Sequence, residues 1–298
     1  MEQPVYHIPA MLSEVLDGLH IQAAKPQVFV DATFGGGGHS RGIMERMGTE
    51  SRLFGIDQDL DAYANRIDDS RFTFVRSNFR YVANFMDYYG IKQVDGILAD
   101  LGVSFHHFDA AERGFSFRYD APLDMRMNAK QRLSAADVIN TYGEEELARV
   151  LYLYGEFGNS RALAAQIIRR RQQQAILTTR QLQDCVHLKD KQDYARLFQA
   201  LRIEVNDELG ALRELLQASA TLLAPGGRLV ILTYHSLEDR IVKNFMRSGN
   251  TEGTIEKDFY GNPLTPFKVI EKGRTASAEE VERNPRARSA KLRVAEKL

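Results

Sequence analysis

Residues 28–39 read VFVDATFGGGGH: an apolar strand-like run, an acidic residue at its end, and four consecutive glycines that lead into a helical pattern. Glycine adopts positive φ and lets a ligand approach the backbone, and a helix N-terminus offers N–H groups to that ligand. A second apolar run ends at Asp57, about 20 residues beyond the glycines, where an acid accepts hydrogen bonds from ribose hydroxyls. The stretch therefore predicts a Rossmann-like sheet that binds a nucleotide cofactor.

Outward from this stretch, apolar runs alternate with helical patterns up to about residue 103, which is typical of βαβ units in a parallel sheet. We predict strands at residues 28–33, 52–57, 72–75 and 94–101, and helices at residues 39–47, 61–67 and 79–89. Ligands bind such sheets at the carboxyl edge of the strands, so the strand ends are the candidate site.

The α/β pattern breaks in the middle of the chain, where helical patterns predominate at residues 135–140, 144–154 and 160–173. It resumes with a helix near residues 206–223, a Pro-Gly-Gly turn at residues 225–227, a strand at 228–234 and two edge strands at 267–272 and 291–296. We therefore predict an α/β methyltransferase-like core of residues 1–104 and 206–298, interrupted by an inserted helical substrate-recognition domain of residues 105–205.

The composition excludes several classes of protein. The 298 residues have a net charge of -1, so the overall charge gives no sign of a polyanionic partner. No apolar run approaches the roughly 20 residues of a membrane helix, and the N-terminus lacks signal-peptide features, so we predict a cytoplasmic protein without membrane association. Cys185 is the only cysteine, which excludes an intramolecular disulfide and a multi-cysteine zinc site, and no metal site is predicted.

Two local basic clusters favour a nucleic-acid partner. Residues 157–183 contain no acid, and their arginines suit either a phosphate-tracking face or a solvated helix face: Arg161, Arg169, Arg170, Arg171 and Arg180. A second cluster lies near the C-terminus and consists of Arg283, Arg286, Arg288, Lys291 and Arg293.

Glycines and an acid alone do not distinguish a nicotinamide cofactor from S-adenosylmethionine. Phe79 follows the third strand and suits packing against adenine, and Asp100 ends the fourth strand, where Rossmann-like methyltransferases hold the sulfonium and the nucleophile. A dehydrogenase needs a hydride-handling pair such as Tyr-x-x-x-Lys, which is not found at a strand end. S-adenosylmethionine is favoured; a nicotinamide-dependent oxidoreductase and a non-catalytic RNA-binding assembly factor remain the alternatives.

Several longer strings occur in order along the chain: DLGVS at residues 100–104, ERGFSF at 112–117, PLDMRM at 122–127, YGE at 154–156, HSLEDRIVK at 235–243 and NPRARS at 284–289. With residues 33–40 and 199–206, these strings resemble the bacterial RsmH/MraW family of small-subunit (16S) ribosomal RNA cytosine-N4 methyltransferases. The resemblance implies a methyltransferase core with a helical insertion, S-adenosylmethionine as cofactor, and small-subunit ribosomal RNA or the assembled small ribosomal subunit as partner. It leaves the oligomeric state open.

The resemblance also implies site residues. A family glutamine contact falls at His107, because this chain reads Ser-Phe-His-His at residues 104–107. With it, the expected cofactor contacts are Gly36, Gly37, Gly38, His39, Asp57, Phe79, Asp100 and His107. The expected RNA contacts are Arg113, Arg126, His235, Arg286 and Arg288; residues 236–239 also fit an ordinary helix start.

Asp100 is the expected catalytic residue, as a hydrogen-bond acceptor for the cytosine amine. It does not stand in the Asn/Asp-Pro-Pro-aromatic string that amino-methylating enzymes of other families present, so a role in cofactor binding alone remains open. Methylation at cytosine carbon five would need a cysteine nucleophile, and Cys185 lies deep in the predicted insertion. The amine is therefore the predicted target.

Overall fold

The computed structural model describes residues 8–102 and 113–298. The chain divides into two compact units, one formed by residues 1–102 and 210–298 and the other by residues 103–209. The helices are α1 Leu12–Gly18, α2 Gly38–Arg46, α3 Val82–Tyr88, α4 Ala135–Thr141, α5 Glu144–Leu153, α6 Ser160–Gln173, α7 Thr179–Cys185, α8 Lys191–Asn206, α9 Glu208–Leu222, α10 Ser236–Ser248 and α11 Ala278–Arg283.

The first unit contains one seven-stranded sheet with the order β3-β2-β1-β4-β5-β7-β6. Strands β1 to β5 pair in parallel, and β7 pairs antiparallel with both β5 and β6. This arrangement confirms the predicted Rossmann-like α/β core. The strands are β1 Val28–Asp31, β2 Arg52–Asp57, β3 Phe72–Arg76, β4 Val94–Asp100, β5 Leu223–Thr233, β6 Phe267–Thr275 and β7 Lys291–Lys297.

The central strands are apolar on both faces because helices cover the sheet on either side, as parallel sheets require. Phe29, Phe54 and Leu98 are fully buried. On one face, Val15 of α1 and Ile43 of α2 join the same buried cluster as Phe29 and Leu98. This packing fixes the ends of β1 and β4 relative to the start of α2, where the glycine run lies.

The second unit is helical. Its described residues contain α4 to α8 and no strand, only an isolated bridge between Pro122 and Thr178. Asn206, at the end of α8, ties down the segment before α4: its Oδ1 accepts from Met127 N at 2.8 Å, and its Nδ2 donates to Met125 O at 2.8 Å. A polar side chain thus organises an apolar core that includes Leu123, Leu147 and Leu201.

Several predicted elements differ from the observed ones. Residues 61–67 form only a short 3-10 helix, Asp61–Asn65, and the helix predicted at 79–89 begins as a 3-10 turn, Phe79–Tyr81, before α3. The Pro-Gly-Gly turn is an irregularity within β5, because pairing resumes at Arg228 after Leu223. The strand predicted at 291–296 as an edge is wrong in position: β7 lies between β5 and β6.

Within residues 8–102 and 113–298, each helix is too short or too polar to cross a lipid bilayer.

Candidate active site

The glycine run is a turn that an L side chain would obstruct. Gly35 and Gly37 adopt φ values of 50° and 74°. A Cβ on Gly37 would lie 2.7 Å from Arg41 Nη1 and 2.8 Å from the ring of Phe34. Helix α2 begins at Gly38, directly after this turn. Because the first N–H groups of a helix have no intrahelical acceptor, the turn presents hydrogen-bond donors to a ligand at the carboxyl edge of the sheet.

Side chains hold the glycine turn in place. Arg41 donates from Nη1 to the carbonyl of Gly36 at 2.6 Å and from Nη2 to the carbonyl of Asn65 at 2.9 Å. Asn65 in turn donates from Nδ2 to the carbonyl of Gly35 at 3.2 Å. These bonds occupy two carbonyls of the turn, so its conformation is set by the protein itself.

Asp31, which was not predicted to belong to the site, joins β1 to the start of α2. The carboxylate is buried and accepts from Ser40 Oγ at 2.7 Å and from Thr33 N at 3.1 Å. Burial raises the pKa of Asp31 above its ordinary value. A polar residue at the end of an apolar strand was the signal that could have identified it.

Asp57 lies at the end of β2, beside the glycine turn. Its Oδ2 accepts from Gly35 N and its Oδ1 from Asp59 N, both at 2.8 Å. Burial raises the pKa of Asp57 to about 6. Each carboxylate oxygen can accept more than one hydrogen bond, so both remain able to receive a ribose hydroxyl.

The end of β3 is tied to the end of β2. Asn78 donates from Nδ2 to Gln58 Oε1 at 3.1 Å, and its Oδ1 accepts from Arg80 N at 3.0 Å, which caps the 3-10 turn that carries Phe79. Phe79 is half-buried. Its ring therefore stands on a capped turn at the same sheet edge as Asp57, where an adenine ring could pack.

Asp100 ends β4 and is fixed from three sides. Its N–H donates to Thr33 Oγ1 at 2.7 Å, and its Oδ1 accepts from Gly102 N at 3.2 Å. The hydroxyl of Tyr234, the residue after β5, donates to the same carboxylate. Burial, and then the adjacent Asp100 charge, raise the pKa of Tyr234 well above its ordinary value. From the sequence, Tyr234 was predicted only as the last residue of an apolar strand.

The imidazole of His39 faces Asp100. Its Nδ1 lies 3.7 Å from Asp100 Oδ2, and its Nε2 donates to the carbonyl of Ala10 at 3.0 Å. The His39 side chain is 7% exposed, against 22% for Asp100. Pro9 packs over Gly38, where an added Cβ would lie 3.1 Å from the proline ring. The segment around Pro9 and Ala10 was not predicted to belong to the site.

The C-terminal part of the chain reaches the same edge of the sheet. Because β7 is antiparallel, its first residue, Lys291, pairs with Thr233 at the carboxyl end of β5. The 3-10 helix Pro285–Ser289, which carries the expected RNA contacts Arg286 and Arg288, directly precedes β7, and both arginines are exposed. The structure thus brings them to the edge that holds Asp100.

His235 begins α10 at that edge and serves as its cap. Its Nδ1 accepts from Glu238 N at 3.5 Å, and its Nε2 lies 3.0 Å from Glu238 Oε1. Glu238 Oε2 also accepts from Tyr234 N at 3.0 Å. The imidazole is 11% exposed, so its observed partners are those of a helix start.

The expected RNA contacts of the insertion have partners within it. Arg126 pairs with Asp124, Nε to Oδ1 at 2.7 Å and Nη2 to Oδ2 at 2.8 Å, and donates to Gln131 O. Although burial opposes the effect, the hydrogen bonds from Arg126 lower the pKa of Asp124. Arg113 donates to the carbonyls of Arg126 and Met127 at 2.7 and 2.9 Å. Their role in RNA binding stays a prediction.

The two basic clusters divide into internal and surface residues. Arg171 donates to the carbonyls of Ile139 and Tyr142, both at 2.7 Å, and Arg293 pairs with Asp239 at 2.7 Å. Arg169 and Arg170 of the first cluster line a groove of about 400 Å³ in the insertion. The lining residues are Gln166, Arg169, Arg170, Gln173, Cys185 and His187. The groove has polar and cationic walls and no acidic lining residue.

The structure therefore brings Gly36, Gly37, Gly38, His39, Asp57, Phe79 and Asp100 to one edge of one sheet. His107 lies outside the described residues, as do the other residues of the segment 103–112. The residues that sequence reasoning missed at this edge are Asp31, Arg41, Asn65, Tyr234 and the segment around Ala10.

Comparisons with known proteins agree with this arrangement. The sequence model of the MraW methylase family matches residues 4–298. A protein of Phocaeicola vulgatus is 56% identical over 98% of both chains, and one of Bacteroides thetaiotaomicron is 54% identical over 99% of both. A protein of Porphyromonas gingivalis is 53% identical over 100% of this chain and 98% of its own. All three are named ribosomal RNA small subunit methyltransferase H.

Proposed function

The chain belongs to the MraW methylase family, and on that premise we propose that it methylates the exocyclic N4 amine of a cytidine in small-subunit ribosomal RNA. The protein is a methyltransferase whose cofactor is S-adenosylmethionine. Its substrate class is small-subunit ribosomal RNA, as in the names of its relatives. Membership favours this activity over the nicotinamide-dependent alternative.

The residues of the sheet edge fit this cofactor. The glycines of the turn carry no side chains of their own, and α2 offers N–H groups there. Asp57 supplies acceptors for the ribose, and Phe79 supplies an aromatic surface for adenine. When bound, the cofactor supplies an activated methyl group, so the protein mainly has to align a nucleophile with it at near-attack distance.

The position of the Asp100 carboxylate is the main observation that supports the exocyclic amine as the methyl acceptor. Cytosine N4 is a weak nucleophile because its lone pair is delocalised into the ring, and an acceptor on its N–H concentrates electron density on nitrogen. Asp100 is partly exposed at the end of β4; its N–H donates to Thr33 Oγ1, and its carboxylate accepts from Gly102 N and from the Tyr234 hydroxyl. It can therefore accept from the amine while remaining ordered.

Methylation at carbon five has no suitable nucleophile in this chain. Cys185, the only cysteine, ends α7 in the helical unit. Burial raises the pKa of its thiol to about 11, which suppresses the reactive thiolate. The chemistry of the chain thus supports an amine rather than a carbon as the acceptor.

We further propose that the insertion and the C-terminal 3-10 helix recognise RNA, and that the protein acts in the cytoplasm. Arg286 and Arg288 present exposed charge at the carboxyl edge of the sheet. In the insertion, exposed Arg169 and half-buried Arg170 line the groove. Arg113 donates to a backbone carbonyl and Arg126 pairs with a carboxylate, so both arginines stabilise the local structure of the insertion. Methylation assays on isolated RNA and on assembled small subunits distinguish the two forms of the substrate.

Mass mapping of nucleosides from small-subunit ribosomal RNA tests the proposal. RNA from cells that lack the protein should lack one N4-methylcytidine, and the intact gene should restore it. A gene encoding Asp100→Asn should restore the level of protein without restoring the modification. Full restoration of the modification by this variant would contradict the role of Asp100, and an unchanged nucleoside map would favour the non-catalytic assembly factor.

A further inference from the structure

We propose that Asp100 and His39 form a proton relay that removes the proton from the methylated amine, with Tyr234 positioning the relay. The proposal rests on the proposed function, because it assigns the fate of a proton that N4 methylation releases. His39 acts through Asp100 and does not contact the amine itself. It is therefore a positioning residue that also holds the proton.

The hydrogen bonds of His39 define which ring nitrogen can act. Nε2 lies 3.0 Å from the carbonyl of Ala10, which only accepts, so Nε2 carries a hydrogen. In the neutral ring Nδ1 is then an acceptor, and it faces Asp100 Oδ2 at 3.7 Å. Two acceptors that face each other at this distance leave a place for one proton between them. Catalytic hydrogen bonds are often long before substrate binds and shorten in the reactive complex.

Methyl transfer to the amine releases one proton, and the charge balance requires a group that accepts it. The N4 lone pair forms the new nitrogen–carbon bond, the carbon–sulfur bond breaks, and its electron pair remains on sulfur. The positive charge therefore passes to the amine, which must lose one proton. Asp100 Oδ2 accepts this proton and passes it to His39 Nδ1. The products are N4-methylcytidine, a neutral thioether, and an imidazolium paired with the Asp100 carboxylate.

Tyr234 keeps the carboxylate oriented during this transfer. Its hydroxyl donates to Asp100, and its ring packs against Gly102, where an added Cβ would lie 2.9 Å from the ring. The N–H of Gly102 donates to Asp100 Oδ1. That bond anchors Oδ1, whereas Oδ2 is the oxygen nearest His39.

Within residues 8–102 and 113–298, the titratable groups around the imidazole come from three strands. Asp100 on β4 lies nearest, and Asp31 on β1 interacts with both His39 and Asp100 through its charge. Tyr234 at the end of β5 reaches the pair through Asp100. From residue 8 onward, the N-terminal segment contributes the carbonyl of Ala10. An imidazolium formed at His39 in the product state of the relay would therefore lie near two carboxylates.

The first test measures the ring itself. Nitrogen-15 NMR of histidine-labelled protein without cofactor should show His39 as the Nε2–H tautomer when neutral. A neutral Nδ1–H tautomer would place a hydrogen toward Asp100 and overturn the relay. This measurement does not depend on methylation of any RNA, so it stands even if the proposed substrate is wrong.

The second test uses His39→Gln, whose amide can still donate to the carbonyl of Ala10 but cannot accept a proton. Single-turnover methylation of small ribosomal subunits from cells that lack the protein should slow by about 100-fold at saturating cofactor. The acidic limb of the pH–rate profile should change. Because His39 is also an expected cofactor contact, the dissociation constant for S-adenosylhomocysteine is measured for each protein, and rates are compared at cofactor concentrations that saturate each one. His20→Gln, an exposed histidine of the same unit, is the matched control and should behave as wild type.

Tyr234→Phe provides a second variant that keeps the ring and removes only the hydroxyl. The rate should fall by about 10-fold, the scale of one hydrogen bond, with unchanged cofactor affinity. If His39→Gln does not fold, as its melting curve would show, this variant and the tautomer decide the matter. A wild-type rate in either folded variant, or a rate that recovers when cofactor is raised, would overturn the relay. Wild-type protein that forms no N4-methylcytidine would instead refute the proposed function.

Discussion

Replacement of Asp57 by asparagine tests the ribose-binding role of the carboxylate at the end of β2, and its charge state provides the quantity to measure. Burial raises the pKa of Asp57 from 3.8 to about 6. Ribose hydroxyls can donate to the ionised carboxylate, whereas a protonated carboxyl group offers a donor in place of an acceptor. We therefore expect the affinity for S-adenosylhomocysteine to be constant above pH of about 6 and to decrease as the pH falls through that value.

The size of the effect follows from one proton. Below its pKa the ionised fraction of a carboxyl group falls tenfold per pH unit, so at pH of about 5 the dissociation constant should rise about tenfold, or ~1.4 kcal/mol. Above pH of about 6, the affinity of Asp57→Asn should be lower than that of wild type by about 1 to 3 kcal/mol, the cost of unpaired polar groups. Its dependence on pH over the same range should disappear.

Isothermal titration calorimetry from pH of about 7.5 down to about 5 measures both quantities. Asp87→Asn is the matched control, because Asp87 is an exposed carboxylate paired only with Lys92 at 2.9 Å among the described residues. It should reproduce the wild-type curve. A wild-type affinity that does not change over this range, or an Asp57→Asn variant that binds as wild type, would refute the assignment of Asp57 to the ribose.

The same pKa has an opposite consequence for the stability of the cofactor-free protein. Because the folded-state pKa is raised, the folded chain binds a proton below pH of about 6 that the unfolded chain does not bind until about 4. This group therefore opposes folding most above pH of about 6, and acidification toward about 4 removes the penalty. The melting temperature of wild type, relative to that of Asp57→Asn, should therefore rise as the pH falls from about 6 to about 4.

Three further predictions concern the turn and the basic surfaces. Gly37→Ala should weaken S-adenosylhomocysteine binding about tenfold through a strain of about 1 to 2 kcal/mol, whereas Gly261→Ala, with φ of 86° and no atom within 4 Å of its Cβ, should leave binding unchanged in calorimetry. Combined Arg169→Glu and Arg170→Glu should lower RNA affinity and reduce the slope of log affinity against log salt by about 0.7 to 0.9 for each phosphate that the variant no longer neutralises, without affecting the cofactor. Arg286→Ala combined with Arg288→Ala should likewise lower RNA affinity and reduce the salt slope. Lys92→Ala, which changes an exposed lysine before β4, should change neither quantity. An unaltered salt slope in either arginine variant would identify that pair as solvated surface.

Much of the cofactor edge was predictable because its signals are local. The apolar run before Asp57 was predicted with the bounds that β2 has, and the acid-free helical pattern matches α6, Ser160–Gln173. Strand ends with polar residues mark the carboxyl edge in any parallel sheet. Asp57 and Asp100 were found in this way, and the structure brings both to that edge.

The remaining part of the site depends on contacts between residues that are far apart in the chain. Asn284 donates to the carbonyl of Ile8 at 3.1 Å, and Glu280 accepts from Met11 N at 3.2 Å, which holds the N-terminal segment against the C-terminal one. Local sequence periodicity does not predict a contact between segments so far apart in the chain. Arginines are similarly ambiguous in sequence, because Arg171 and Arg126 satisfy carbonyls and a carboxylate of the insertion whereas Arg169 lines its groove.

The central claim is methyl transfer to cytosine N4, and one reconstitution tests it most directly. Purified protein is incubated with small ribosomal subunits, or with their isolated RNA, from cells that lack it, and with S-adenosylmethionine deuterated in its methyl group. The RNA is then digested to nucleosides for mass spectrometry against authentic standards. We predict deuterated N4-methylcytidine as the labelled product, formed by wild type and strongly reduced in Asp100→Asn; label in 5-methylcytidine, in another nucleoside, or in none would contradict the claim.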